Sequence, residues 1–167
     1  ATQLLVKRGG VSYLRLDKTA AKEQDINDNI FTLGVARRHN EGADVTIVTT
    51  GGILSDVNEA SIELEKLGFS IRVLGVHTLK PIDNNEIILA AKETGGIITV
   101  EEHNKDGGLG SAVSEVCMDH SILPKKFLRI GLNNIYSSIV GSQQYLKSRY
   151  MMDSNAIINA TMDLLKD

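Results

Sequence analysis

Asp44-Val45-Thr46-Ile47-Val48-Thr49-Thr50-Gly51-Gly52 is a run in which every residue from Val45 to Thr50 is β-branched and two glycines bring it to a stop. Branched side chains in an unbroken run suit an extended chain buried on both faces. Beyond the glycines the period changes. Ile53, Val57, Ala60, Leu64 and Leu67 recur at spacings of four, three, four and three, one apolar stripe on a helix that Gly68 ends. Residues 70–74 return to the strand pattern. Strand, helix, strand in that order points to a parallel pair joined by a crossover helix.

The alternation continues towards the C-terminus. A turn around Pro81 leads to a helix over residues 84–93, with Asp83 as its N-cap and Gly95-Gly96 behind it. Residues 97–100 read as a core strand, 110–120 as a helix, and 127–130 as a strand after Pro124. Helices over 142–149 and 154–166 finish the chain. Upstream of Asp44 the pattern gives a short strand over 30–33 and a second over 35–38. Continuous apolar strands separated by helices require a largely parallel sheet covered on both faces, a three-layer α/β/α sandwich.

The first part of the chain reads differently. Residues 1–8 have the look of the last turns of a helix, and residues 11–16 (Val-Ser-Tyr-Leu-Arg-Leu) alternate apolar and polar as a strand entered through Gly9-Gly10. Residues 17–29 are charged and almost free of apolar side chains, as a solvated linker is. The expected division is therefore 1–16, a linker over 17–29, and a compact domain over 30–167.

With 167 residues, 42% hydrophobic and 23% charged, the chain suits one main core. A fold of this length buries roughly 70% of the surface its unfolded form exposes, so it needs no disulfide or metal staple. Cys117 is the only cysteine, which rules out an intrachain disulfide, a CxxC motif and a four-cysteine zinc site. The formal charge is −3, from 18 basic and 21 acidic residues, and the basic residues cluster no further than pairs such as Arg37-Arg38 and Lys125-Lys126. Nucleic-acid binding has no electrostatic support. No apolar stretch approaches the roughly 20 residues that cross a bilayer, so no membrane partner and a cytoplasmic location are expected.

The densest polar stretch is Val100-Glu101-Glu102-His103-Asn104-Lys105-Asp106-Gly107-Gly108-Leu109-Gly110-Ser111-Ala112-Val113. It leaves a strand and enters a helix, the edge along which open α/β sheets place ligands. Gly108-x-Gly110 at the helix start could offer backbone N–H groups to an anion, or could simply form a tight turn. It is not a dinucleotide fingerprint, because Val113 holds the third glycine position, and no Walker lysine is present. Glu101, Glu102 and His103 could do acid–base work, but consecutive strand residues point to opposite faces, so the two glutamates do not share one pocket. His39, His77 and His120 show no metal-ligand spacing, His120 and Cys117 lack further ligands, and no GxSxG elbow anchors a hydrolase triad. Thr50-Gly51-Gly52 and His77-Thr78-Leu79-Lys80-Pro81-Ile82-Asp83 supply two more turns at the same edge. There His77 and Lys80 could meet an anion, or Pro81 and Asp83 could set a turn and cap a helix.

Taken in order, four blocks resemble a known family: residues 44–51, residues 73–83 with Thr78-Leu79-Lys80-Pro81-Ile82-Asp83, residues 98–113 with Glu101-Glu102-His103 and Gly107-Gly108-Leu109-Gly110, and Val140-Gly141-Ser142. Together they resemble the C-terminal domain of transketolase, a domain type shared with 1-deoxyxylulose-5-phosphate synthase and the β subunit of the 2-oxoacid dehydrogenase decarboxylase component. The resemblance covers residues 30–167. It implies a five-stranded mixed sheet with one antiparallel strand. It also implies a homodimeric enzyme that moves a two-carbon ketol unit between sugar phosphates, using thiamine diphosphate and magnesium held by its other domains. Residues 1–16 are similar to the tail of the preceding pyrimidine-binding domain, where Arg15 matches an arginine that holds the substrate phosphate in the full enzyme.

The family's metal–diphosphate signature opens with Gly-Asp-Gly, which this chain lacks. The expectation is thus a chain with no catalytic residue, metal ligand or cofactor of its own, inactive alone and partnered by the remaining transketolase domains or subunit. Glu102, His103, Gly108, Gly110 and Ser111 form its possible anion-binding or active-site-approach loop. Two other readings stay open: a stand-alone anion-binding regulatory domain, and a partner-docking domain like that of the dehydrogenase β subunit.

Overall fold

The structure is a computed structural model that describes residues 1–17 and 31–166. The expected linker over 17–29 lies outside the described residues except for Asp17, and so does Ile30. The elements run α1 (Thr2–Lys7), β1 (Arg37–Asn40), β2 (Val45–Thr49), a 3₁₀ turn (Gly51–Ile53), α2 (Leu54–Lys66), β3 (Ile71–Gly75), α3 (Asn84–Glu93), β4 (Ile97–Asn104), α4 (Leu109–Asp119), β5 (Phe127–Leu132), α5 (Gln143–Arg149) and α6 (Ser154–Lys166).

The sheet has five strands in the order β1-β3-β2-β4-β5. β3, β2, β4 and β5 are parallel, and β1 alone runs antiparallel, pairing Arg37 with Gly75. The mixed five-stranded sheet is the one that the resemblance implied. Alternation along the buried strands sends Ile47, Val73 and Ile98 to one face, against Val57, Ala60 and Leu64 of α2 and Ile157 of α6. Val48, Leu74 and Ile97 point to the other, against Ile87 and Ala90 of α3 and Leu109, Val113 and Val116 of α4. Period-two strands thus feed two cores, and each fully buried Ile or Leu contributes roughly 1.5–3 kcal/mol.

Local signals set the element ends. Gly68 sits at φ +93°, and behind it the Phe69 amide donates to the Leu64 carbonyl, closing α2 as a left-handed cap. Asp83 caps α3 by accepting the Glu86 amide at 3.2 Å, while its other oxygen accepts the Ala36 amide at 2.8 Å. One carboxylate therefore starts a helix and ties the chain entering β1 to it. Ser142 caps α5 through the Tyr145 amide.

Two strand expectations require correction. Residues 11–16 form no strand and are exposed throughout, Val11 and Tyr13 among them. An alternating sequence becomes a strand only where a neighbour pairs its backbone, and none of the described residues does so here. Residues 31–36 form a turn and irregular chain in place of the strand expected over 30–33. The second expected strand begins at Arg37, two residues later than Val35.

Candidate functional site

The C-terminal ends of the parallel strands bring three loops to one edge: Thr50 to Ile53 after β2, Val76 to Asp83 after β3, and Lys105 to Gly108 after β4. The chain leaves β2 towards β3 on one side and returns past it to β4 on the other. The gap between β2 and β4 is therefore the switch point at which doubly wound sheets form a crevice.

β4 carries the glutamates. Glu101 is 1% exposed, yet both of its oxygens are hydrogen-bonded. Its two oxygens accept the backbone amides of Leu109 at 2.7 Å and Gly110 at 2.9 Å. These are the first amides of α4, which no carbonyl within the helix can satisfy. The carboxylate also lies at the positive end of the helix dipole. Gly108 is the N-cap and offers no side chain for the task. A Cβ there would strike the Glu101 carboxylate and come within 2.7 Å of the Asn104 carbonyl oxygen. Gly110 is glycine for a similar reason, since a Cβ would lie 2.7 Å from both Thr99 Oγ1 and Arg129 Cδ. The amides that could have faced an external anion are donated to Glu101, an internal one.

Glu102 points the other way. Half-buried, it accepts the Gln143 side-chain amide at 2.9 and 3.1 Å, joining β4 to the first turn of α5. His103 is exposed. Ser111 accepts the Gly107 amide and donates to the Lys105 carbonyl, both at 3.0 Å, and Arg129 Nη1 donates to that same carbonyl at 3.0 Å. The loop is thus a closed structural unit. Gly108, Gly110 and Ser111 belong to it, Glu102 is turned from it towards α5, and Arg15 lies in the exposed stretch before the domain.

Sequence reasoning missed the role of Glu101, although a signal was present. An acid in a buried strand, followed seven residues later by a glycine that caps a helix, has both the need for donors and a supply of them. It also missed Asp56 and Lys147, which meet at 2.6 Å with both side chains under 10% exposed. This pair ties the first turn of α2 to the last turn of α5. With Gln143 and Glu102, it holds α5 to the sheet edge from both ends.

At the β2 end, Gly51 turns at φ +75°, and a Cβ on Gly52 would strike the Asp17 carboxylate. The end of the preceding stretch therefore lies against the turn that opens α2. At the β3 end, His77 Nδ1 lies 2.8 Å from Thr78 Oγ1, and its ring packs on Phe31 with centroids 4.0 Å apart. Burial, then the nearby Arg37 charge, pushes the His77 imidazole below its ordinary range, with the Val35 carbonyl partly opposing. His39 is lowered by the same two causes in the same order. Among the described residues no group of three or more His, Cys, Asp or Glu side chains could hold a metal ion, and no helix is long and apolar enough to cross a membrane.

Known proteins share this architecture. The family model for the transketolase C-terminal domain matches residues 34–157. The 6-deoxy-6-sulfo-D-fructose transketolase subunit SqwH of Clostridium sp. (strain MSTE9) is 35% identical over 162 residues, 97% of this chain and 49% of that protein. The putative transketolase C-terminal section of Methanocaldococcus jannaschii is 33% identical, over 94% of this chain and 49% of that protein. A solved structure titled a split gene transketolase, inactive beta4 tetramer, superimposes with a TM-score of 0.80 at 32% identity, covering 89% of this chain and 48% of that one. The chain thus spans about half the length of the curated relatives it matches. With its sheet order, its cores and these matches in agreement, the chain belongs to the transketolase C-terminal domain family.

Proposed function

We propose that this chain is the C-terminal portion of a thiamine-diphosphate-dependent transketolase-type enzyme that transfers a two-carbon ketol unit between sugar phosphates. Its own work is structural: it supports a homodimer and shapes the approach to a cofactor site held by the remaining domains or subunit. The observation that carries this reading is the internal commitment of Glu101, which spends the most buried acid of the sheet edge on α4. The chain's groups do not fit a thiamine diphosphate–magnesium site, since the described residues lack a metal-ligand cluster and the sequence lacks Gly-Asp-Gly. No chemical step is assigned to them.

In this reading residues 1–16 close the preceding pyrimidine-binding domain, residues 17–29 link it to residues 30–167, and the enzyme works in the cytoplasm. The uncovered side chains of Val11, Tyr13 and Leu16 suit a strand whose sheet belongs to that other domain. Arg15, on the same stretch, then holds the substrate phosphate through paired N–H donors. Ile135, Tyr136 and Val140, exposed before α5, and Tyr145 and Met151, exposed on and after it, supply apolar surface for a second copy.

Ketol transfer from a ketose phosphate to an aldose phosphate, with thiamine diphosphate and magnesium added, tests the proposal. The 167-residue chain alone gives no turnover, and the chain joined to its preceding domains does. Arg15→Ala in the joined enzyme raises KM for the phosphorylated acceptor by about tenfold or more, the loss of a charge-assisted hydrogen bond. Turnover by the chain alone, or an unchanged KM, contradicts the assignment.

A further inference from the structure

We propose that Arg37, His39 and His77 form an oxyanion-binding corner at the β1 edge of the sheet, apart from the Glu101 loop. β1 is the antiparallel strand, so Arg37 pairs with Gly75 at the end of β3, and His77 follows two residues later. His39 covers the same point, since a Cβ on Gly75 would come within 2.6 Å of His39 Nε2. One ring organises the group: Phe31 lies under His77 at 4.0 Å between centroids and under the Arg37 guanidinium at 5.5 Å.

Two nitrogens in this corner are shut off from solvent and make no hydrogen bond among the described residues: Arg37 Nε and His77 Nε2. Arg37 Nε is always a donor. In the tautomer in which the Thr78 hydroxyl donates to Nδ1, the His77 proton lies on Nε2, which is then a donor as well. Leaving buried donors unmet is costly, so the corner calls for an acceptor. The carboxylates alongside are committed elsewhere. Asp83 accepts the Ala36 and Glu86 amides, and Glu86 takes Arg38 Nε at 2.7 Å. A guanidinium and two imidazoles that have no carboxylate partner among the described residues select a compact oxyanion, a phosphate or a carboxylate group. Burial first, and after it the Arg37 charge, lowers the proton affinity of both imidazoles.

The test follows the imidazole resonances of the four histidines in the 167-residue chain by NMR, titrating with inorganic phosphate and separately with acetate at matched ionic strength. A saturable shift confined to His39 and His77, with both imidazoles titrating at higher pH once saturated, supports the site. Saturation by phosphate alone identifies a phosphate ligand, and saturation by both anions identifies a general oxyanion seat. Arg37→Gln weakens the response at least tenfold, while Arg37→Lys retains part of it, which separates lost charge from lost fold. Shifts that are linear, or equal at His103 and His120, or absent with both anions in the unmodified chain, overturn the proposal.

Discussion

Glu101 and Leu109 are eight residues apart, and the glutamate's Oε2 accepts the leucine's amide at 2.7 Å inside the protein. The contact ties β4 to the helix that follows it and makes the intervening Gly108 intelligible. It turns the chain's most reactive-looking stretch into a structural joint. Glu101→Ala should cost about 2–4 kcal/mol, the sum of a lost cap and two buried amides left without acceptors. His103→Ala, at an exposed position, should stay within about 0.5 kcal/mol of the unmodified chain. Thermal melts followed by circular dichroism measure both.

Gly108→Val should destabilise by more than the roughly 1–3 kcal/mol typical of an overpacked core site. The added atoms occupy the place of the Glu101 carboxylate, so the substitution also removes the cap. Urea denaturation gives the number, and an unchanged midpoint would refute the geometry.

The Asp56–Lys147 pair joins α2 to α5 across 91 residues of sequence. Removing one partner, in Lys147→Met or Asp56→Leu, strands a buried charge and should cost about 3–5 kcal/mol. The double substitution Asp56→Leu with Lys147→Met should recover most of that loss. A double-mutant cycle in urea reads the coupling, and additive losses would deny it.

His39 and His77 both bind protons less readily in the fold than their ordinary value of 6.5 implies. The unfolded chain therefore takes up more protons below that pH, so stability rises with pH through this window. Their contribution is complete above about pH 6.5 and is lost as pH falls below it. Melting temperature measured from pH 8 to pH 5 should drop on the acid side, and His77→Phe should flatten the decline.

Much of this fold is legible in the residues. The stripe from Ile53 to Leu64 marks α2, and Asp83 with Asn84 to Glu93 marks the start and extent of α3, because periodicity and capping are local. Pairing is not local. Residues 11–16 alternate as well as any edge strand and yet form no strand with the other described residues, since alternation states a capacity and a neighbour must supply the ladder. At the candidate site, alternation correctly separates Glu101 from Glu102. It does not tell which of them turns inward, and it says nothing of Lys147 reaching Asp56. Those facts depend on how α4 and α5 are seated, which side-chain spacing does not encode.

The central claim is that this chain is a structural domain without a cofactor site of its own. Calorimetric titration of the 167-residue chain with thiamine diphosphate and magnesium addresses it most directly. No binding heat is the expected result. Tight, stoichiometric binding would contradict the claim and place the cofactor site within this chain.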